Sequence, residues 1–251
     1  MSGPLGGRLT AAMPRVVAAL RDLVVELDMT NDELIAALTF LTEVGKSDEA
    51  ILLSDVLGIS RLVDDRTHAG ESGTASNVLG PFYRFGAPWI DNPGSVVRSP
   101  DDGEPLVVGG RVLGAGDGRP IPDAVVDVWQ ANGQGDYSNE TSLVDPWHLR
   151  GRQRSAADGS YRIATIRPLH YTVKDDGPVG NLLAALGRHP WRPAHVHFHV
   201  SAPGCRTLVT QAYIAGGPYL DDDTIDGVKD DLIVQPRDGV VTFDIRLAPA
   251  L

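Results

Sequence analysis

The chain has 251 residues, 42% of them hydrophobic and 22% charged, enough apolar material for one large folded domain or a domain with an appendage. Its formal net charge of −11 argues against nucleic acid or an anionic membrane as a main partner, and its single cysteine, Cys205, excludes an internal disulfide. No N-terminal apolar run has the length of a signal peptide or a membrane span, so a cytoplasmic protein is expected.

The predicted elements begin with helices. From about Pro14 to about Leu62 apolar residues recur at helical spacing, with Val17, Leu20, Val24 and Leu27 near one stripe and Leu34, Leu38 and Leu41 near another. Between them Thr30-Asn31-Asp32-Glu33 reads as a capping box that starts the second helix. The stretch Thr67 to Glu104, rich in Gly, Pro and Ser, is a connection. From about Leu106 the texture changes to short β-rich runs separated by turns: LVVGGRVL, AVVDVW, YRIATI, HVHFHV, RTLVTQAYI, DLIV and VVTFDIRL. This spacing predicts a mainly β protein, an antiparallel β-sandwich over residues 76–251 with a helical N-terminal segment over 1–75.

Two long loops, Gln130 to Gly151 and Arg167 to Arg192, exceed the length of ~12 to 15 residues above which a loop in a compact domain is usually functional. Each carries a tyrosine in a polar setting, Tyr137 in QGDYSN and Tyr171 in RPLHYTV. A packed ring with a satisfied hydroxyl would explain either one alone. The run RPAHVHFHVSAPG, Arg192 to Gly204, alternates at the strand period, so His195, His197 and His199 share one face and the apolar residues the other. Two imidazoles at i and i+2 can share a metal ion, although a half-exposed strand with a polar face has the same pattern. Two phenols and two imidazoles together favour a hard, highly charged ion, and Fe(III) suits them better than zinc. The acidic run Asp221-Asp222-Asp223 reads most simply as a solvated turn, with a calcium-like oxygen site as the poorer alternative. Cys205, with no second cysteine and no nucleophile motif, reads as a structural thiol.

The segments GPFYRFGAP (80–88), DVWQANGQGDYS (127–138), RPLHY (167–171) and GRHPWRPAHVHFHVSAPG (187–204) are similar to the signature blocks of the intradiol ring-cleaving dioxygenases. The resemblance runs from about Thr30 to about Arg246. Within that family DDGPVGNLLAALGRHPWRPAH, YLDDD and DGVKDDLIV resemble the hydroxyquinol 1,2-dioxygenases most, with the catechol and chlorocatechol enzymes next.

The resemblance implies a non-haem Fe(III) held by Tyr137, Tyr171, His195 and His197 with a hydroxide. Tyr171 is then the phenolate that leaves and takes a proton as the diol binds. It also implies that Arg192 stabilises charge on the ring, with Gln211 as its partner, and that Phe82, Phe85, Thr224 and Ile225 line an apolar ring pocket. The expected reaction is cleavage of hydroxyquinol (1,2,4-trihydroxybenzene) by O2 to 3-hydroxy-cis,cis-muconate and its tautomer maleylacetate, in aromatic catabolism. Catechol or a chlorocatechol, giving cis,cis-muconates, is the alternative substrate. The N-terminal helices resemble the family's dimerisation segment, which implies a homodimer and, as in several members, a phospholipid enclosed between subunits.

Three positions depart from the pattern: His199 and Cys205 stand where relatives usually carry apolar or aromatic residues, and Asp226 where hydroxyquinol enzymes often carry an aromatic one. Two readings from other classes stay open at this point. One is a cupin-like Fe(II) or Zn site built on His195, His197 and His199, which leaves both tyrosines without a role. The other is a binding module without catalysis.

Overall fold

A computed structural model describes residues 4–101, 103–139 and 145–250. The chain divides into two compact units, residues 1–48 and 49–251. The first consists of α1 (Pro4–Glu26) and α2 (Asn31–Lys46). Helix α1 starts well before the expected Pro14 and carries that proline inside it. Proline removes an amide donor and crowds the carbonyl four residues back, but the apolar spacing of Leu9, Met13, Val16 and Leu20 runs through the position, and the residues around it are exposed, where water can satisfy the orphaned carbonyl. The capping box on α2 forms as the sequence implies: Glu33 N donates to Thr30 Oγ1 at 3.3 Å, and Thr30 N donates to Glu33 Oε2 at 2.8 Å.

The second unit opens with α3 (Ala50–Val56) and α4 (Ile59–Thr67), joined through Gly58 at φ +70°. The strands follow: β1 (Gly94–Ser95), β2 (Pro105–Gly114), β3 (Val125–Gln130), β4 (Arg150–Arg154), β5 (Ser160–Ile166), β6 (Tyr171–Thr172), β7 (Trp191–Arg192), β8 (His195–Ser201), β9 (Leu208–Ile214), β10 (Ile233–Val234), β11 (Val240–Thr242) and β12 (Ile245–Leu247), with α5 (Pro178–Ala185) between β6 and β7. One five-stranded sheet has the order β1-β5-β2-β11, with β12 also on β2, and the other has the order β10-β9-β8-β3-β4.

These sheets are mixed, which corrects the expectation of a wholly antiparallel arrangement. The long pairs β2·β5, β3·β4, β3·β8 and β8·β9 are antiparallel. The pairs β1·β5, β10·β9, β11·β2 and β12·β2 are parallel and only two or three residues long. Each joins segments far apart in sequence, so the long connection that a parallel pair needs is already present.

Both sheets contribute to one core. Val108, Ile163 and Phe243 from one side meet Val126, Val196, Phe198 and Val200 from the other, and the Phe198 ring lies 6.2 Å from Tyr161 and 5.3 Å from Phe243. Strand β8 therefore spends Val196, Phe198 and Val200 on the core and turns its histidines to the opposite face.

The expected loop from Arg167 to Arg192 is structured instead. Pro178 opens α5, and the buried Glu49 carboxylate accepts from Val179 N at 3.0 Å, placing negative charge at the helix N-terminus. The β6·β7 ribbon sets Tyr171 opposite Arg192. Among the described residues no helix is long and apolar enough to cross a membrane.

Candidate metal centre

Register assembles the site. On β8, His195 lies opposite Tyr213 of β9 and His197 opposite Gln211, while Trp129 of β3 flanks His197 from the other side. The Trp129 ring stacks on the His197 imidazole at 4.6 Å and 9°, fixing its plane. Tyr137 enters from the turn after β3. There the Asn132 side chain accepts from Gln134 N at 2.9 Å and Asp136 N at 2.8 Å, closing the turn on itself. Gly135 sits at φ +95°, and a Cβ there would come within 3.1 Å of His170 O and 3.2 Å of Tyr171 Cβ. The NGQGDY segment thus uses its glycine to bring the backbone beside the ribbon that carries Tyr171.

Four rings converge. His195 and His197 have centroids 4.6 Å apart, Tyr137 and Tyr171 meet edge to face at 5.2 Å, and Tyr171 is 5.6 Å from His195. His195 Nδ1 is 2.7 Å from Pro193 O, an acceptor only, so Nδ1 carries the proton and Nε2 presents a lone pair. That Nε2 lies 3.0 Å from His197 Nε2, while His197 Nδ1 has no hydrogen-bond partner among the described residues. Two buried imidazole nitrogens aimed at one point are a poor pair for each other and a good pair for a cation.

Protonation favours the same use. Burial, helped by the Arg192 guanidinium, pushes both histidines well below their usual value, so they are neutral and able to ligate. Burial holds Tyr137 and Tyr171 above the usual phenol value, although Arg192 pulls in the opposite direction. A hard, highly charged ion would reverse that by stabilising the phenolates. The donor set therefore fits Fe(III). Among the described residues no cluster of three or more His, Cys, Asp and Glu side chains is placed to hold a metal, so the tyrosines are needed to complete one.

Around the quartet the expected residues distribute unevenly. Arg192 Nη1 is 3.3 Å from Tyr171 Oη and 3.2 Å from His195 Nε2, and its Nη2 donates to Gln211 Oε1 at 3.0 Å. Phe82 stacks on Tyr137 at 4.3 Å. Thr224 and Ile225 are buried in the turn after Asp223. Phe85 is not brought to the cluster in this chain: it is 87% exposed. His199 lies on the same strand face but stacks on Tyr83 at 5.6 Å, with Asp127 opposite it in register, so it belongs to a different contact group from His195 and His197.

Asp223 corrects the solvated-turn reading. Asp221 and Asp222 are exposed, but Asp223 is buried and pairs with Arg192, Oδ1 to Nε at 3.0 Å and Oδ2 to Nη2 at 3.1 Å. The sequence reading also missed Tyr213, whose hydroxyl is 3.2 Å from Arg192 Nη2 and 2.7 Å from Gln211 Oε1. Its signal was the strand period, two residues beyond Gln211. Arg150 was missed as well: fully buried, it donates to Ser138 Oγ at 2.8 Å and Phe82 O at 2.6 Å, with its guanidinium 5.8 Å from the Tyr137 ring. Asp55, an acid within the apolar run ILLSDVLG, is buried on α3; burial pushes its carboxyl up while Arg192 opposes the rise.

Comparison with known proteins identifies the family. Residues 78–249 match the dioxygenase family model, and residues 7–75 match the model for the catechol dioxygenase N terminus. A hydroxyquinol 1,2-dioxygenase of Rhizobium sp. (strain MTP-10005) is 42% identical over 90% of this chain and 78% of its own length. A 6-chlorohydroxyquinol 1,2-dioxygenase of Cupriavidus pinatubonensis is 42% identical over 97% of this chain and 92% of its own. The crystal structure of hydroxyquinol 1,2-dioxygenase from Pseudomonas putida DLL-E4 superposes with a TM-score of 0.90 at 37% identity, covering 99% of this chain and 94% of that one. With both family models matched across nearly its whole length, this chain belongs to the intradiol ring-cleaving dioxygenases.

Proposed function

We propose that the chain is an Fe(III)-dependent enzyme that cleaves hydroxyquinol with O2 to 3-hydroxy-cis,cis-muconate and thence maleylacetate. The observation that carries the proposal is the convergence of His195 Nε2 and His197 Nε2 at 3.0 Å beside the edge-to-face pair Tyr137 and Tyr171. These four side chains would hold the iron, and the group would supply there a charged centre for the diol anion and for activation of the ring toward O2. As the phenolate that the ion would stabilise, Tyr171 Oη would accept a proton from the incoming diol and become a neutral phenol, with Arg192 Nη1 3.3 Å from that oxygen. The other side of Nη1 faces His195 Nε2 at 3.2 Å, and with that nitrogen committed to the ion its N–H would be available to charge that develops on the ring, where a fixed guanidinium lowers a barrier. Gln211 holds Arg192 Nη2. Phe82, Thr224 and Ile225 form the ring pocket, without Phe85, which is exposed. Near-complete burial of the quartet excludes bulk water, which strengthens each of these charge interactions.

The protein acts as a cytoplasmic homodimer through its helical segment 1–75, with residues 76–251 forming a catalytic β-sandwich. Exposed Leu20, Leu23, Leu38 and Leu41 on α1 and α2 supply apolar surface for that interface and for a phospholipid chain beside it.

Oxygen uptake with iron quantified, measured on hydroxyquinol, catechol and a chlorocatechol, tests the substrate. Hydroxyquinol is expected to be turned over fastest, with maleylacetate recovered. Faster uptake with either other diol would replace the substrate, and no uptake with any of them at full iron loading would refute the proposed function.

A further inference from the structure

Arg192 has five N–H donors in one plane, and the structure accounts for the direction of all three nitrogens. Nε and Nη2 face a carboxylate, Asp223, in a two-point contact that fixes the guanidinium plane. Nη2 has two further acceptors, Gln211 Oε1 at 3.0 Å and Tyr213 Oη at 3.2 Å. Only Nη1 points to the ligand cluster. The carboxylate is itself held: Gly227 N donates to Asp223 Oδ2 at 3.1 Å, Ile225 N approaches Oδ1 at 3.4 Å, and Thr224 N donates to Trp191 O at 3.1 Å, tying the turn to the strand that carries Arg192. Asn77 Nδ2 bridges Tyr213 Oη at 3.2 Å and Gly227 O at 2.7 Å.

The turn 223–227 packs without slack. A Cβ on Gly227 would lie 2.9 Å from Asp223 Oδ2, 2.9 Å from Tyr213 Oη and 3.0 Å from Arg192 Nη2. This same turn carries Thr224 and Ile225 of the proposed ring pocket. A displacement of the pocket wall is therefore transmitted through Asp223 to the guanidinium.

We infer that Asp223 is the positioning residue of the site, aiming Arg192 Nη1 at the reacting ring and coupling that aim to the pocket wall through the Asp223–Gly227 turn. The inference rests on the proposed roles of the quartet and Arg192. Asp223 makes no hydrogen bond to the four ligands; its carboxylate contacts are Arg192 and the backbone amides of its own turn, and it acts on the ring through Arg192.

The test is a cycle of Asp223→Asn, Arg192→Ala and the double variant. Each is read by iron content, visible band, anaerobic diol titration and turnover. Asp223→Asn is expected to keep iron and colour and to bind diol within about threefold of the parent, while turnover falls ~10- to 100-fold, as for a misaimed catalytic group. In the Arg192→Ala background the same change is expected to cost less than about threefold, because coupled residues are not additive. Equal losses in both backgrounds, or full turnover in Asp223→Asn, would overturn the inference. Should Asp223→Asn lose its iron or its fold, Gly227→Ala takes its place. The added methyl displaces Arg192 Nη2 while leaving all charges, and turnover must again fall in the parent but not in Arg192→Ala. A parent without iron colour would instead refute the functional reading, and the inference with it.

Discussion

The two outer histidines of β8 differ in what their nitrogens meet. His195 is locked by Pro193 O and aimed at His197, whereas His199 is half-buried against Tyr83. Replacing His195 with alanine should therefore abolish iron retention, whereas His199→Phe should leave iron and colour intact. Iron assay of both purified variants checks this, and bleaching by the second change would restore the third histidine as a ligand. Asp127, next to that group, makes a separate prediction. Burial raises its carboxyl from 3.8 to about 6, against the hydrogen bond it accepts from Tyr83 Oη at 3.2 Å. Because the folded value is the higher, the ionised form is penalised: the cost is complete above about pH 6 and is relieved as pH falls toward the unfolded value. A rise of that size is worth ~3 kcal/mol. Asp127→Asn should thus stabilise the fold at pH 8 by up to that amount and by clearly less at pH 5. Urea midpoints at the two pH values measure the difference, and an equal effect at both would contradict the cause assigned.

At the scale of elements, β8 was legible because one strand period carries two messages, apolar residues to the core and histidines to the site. The ribbon of β6 and β7 and helix α5 were not legible. Each ribbon strand has two residues, too few for any periodicity, and α5 is capped by Glu49, which lies far away in sequence. Asp223 was hidden for a similar reason: in sequence it is one of three like charges, and only the fold of the 223–227 turn turns it inward to Arg192. Gly135 offers the element-scale test. Its φ of +95° strains any side chain, and a Cβ 3.1 Å from His170 O would press the neighbouring backbone aside. Gly135→Val should push the Tyr137 turn away from the Tyr171 ribbon and reduce iron content severalfold, with secondary structure by circular dichroism nearly unchanged. Full iron content in that variant would show that the turn does not set the spacing of the two tyrosines.

For the whole molecule, two five-stranded sheets around one core support a site assembled from β3, β6, β7, β8, β9 and the turn after β9. Composition and spacing were enough to foresee short strands after a helical start. They did not reveal the parallel edge pairs, because partners such as β2 and β11 are brought together by the fold and leave no local trace in the sequence. The metal centre differs: its four donors come from three separate segments, residue types and spacing alone left their convergence open, and only the resemblance of those segments to the family's signature blocks named them as one set. In the proposed function the four donors act together on Fe(III). Its most direct test is the visible absorption spectrum of the purified protein with iron quantified, before and after anaerobic addition of hydroxyquinol. About one iron per chain is expected, with a tyrosinate-to-iron charge-transfer band that shifts when the diol binds, as phenolate ligation of a hard trivalent ion requires. A fully iron-loaded but colourless protein would contradict it.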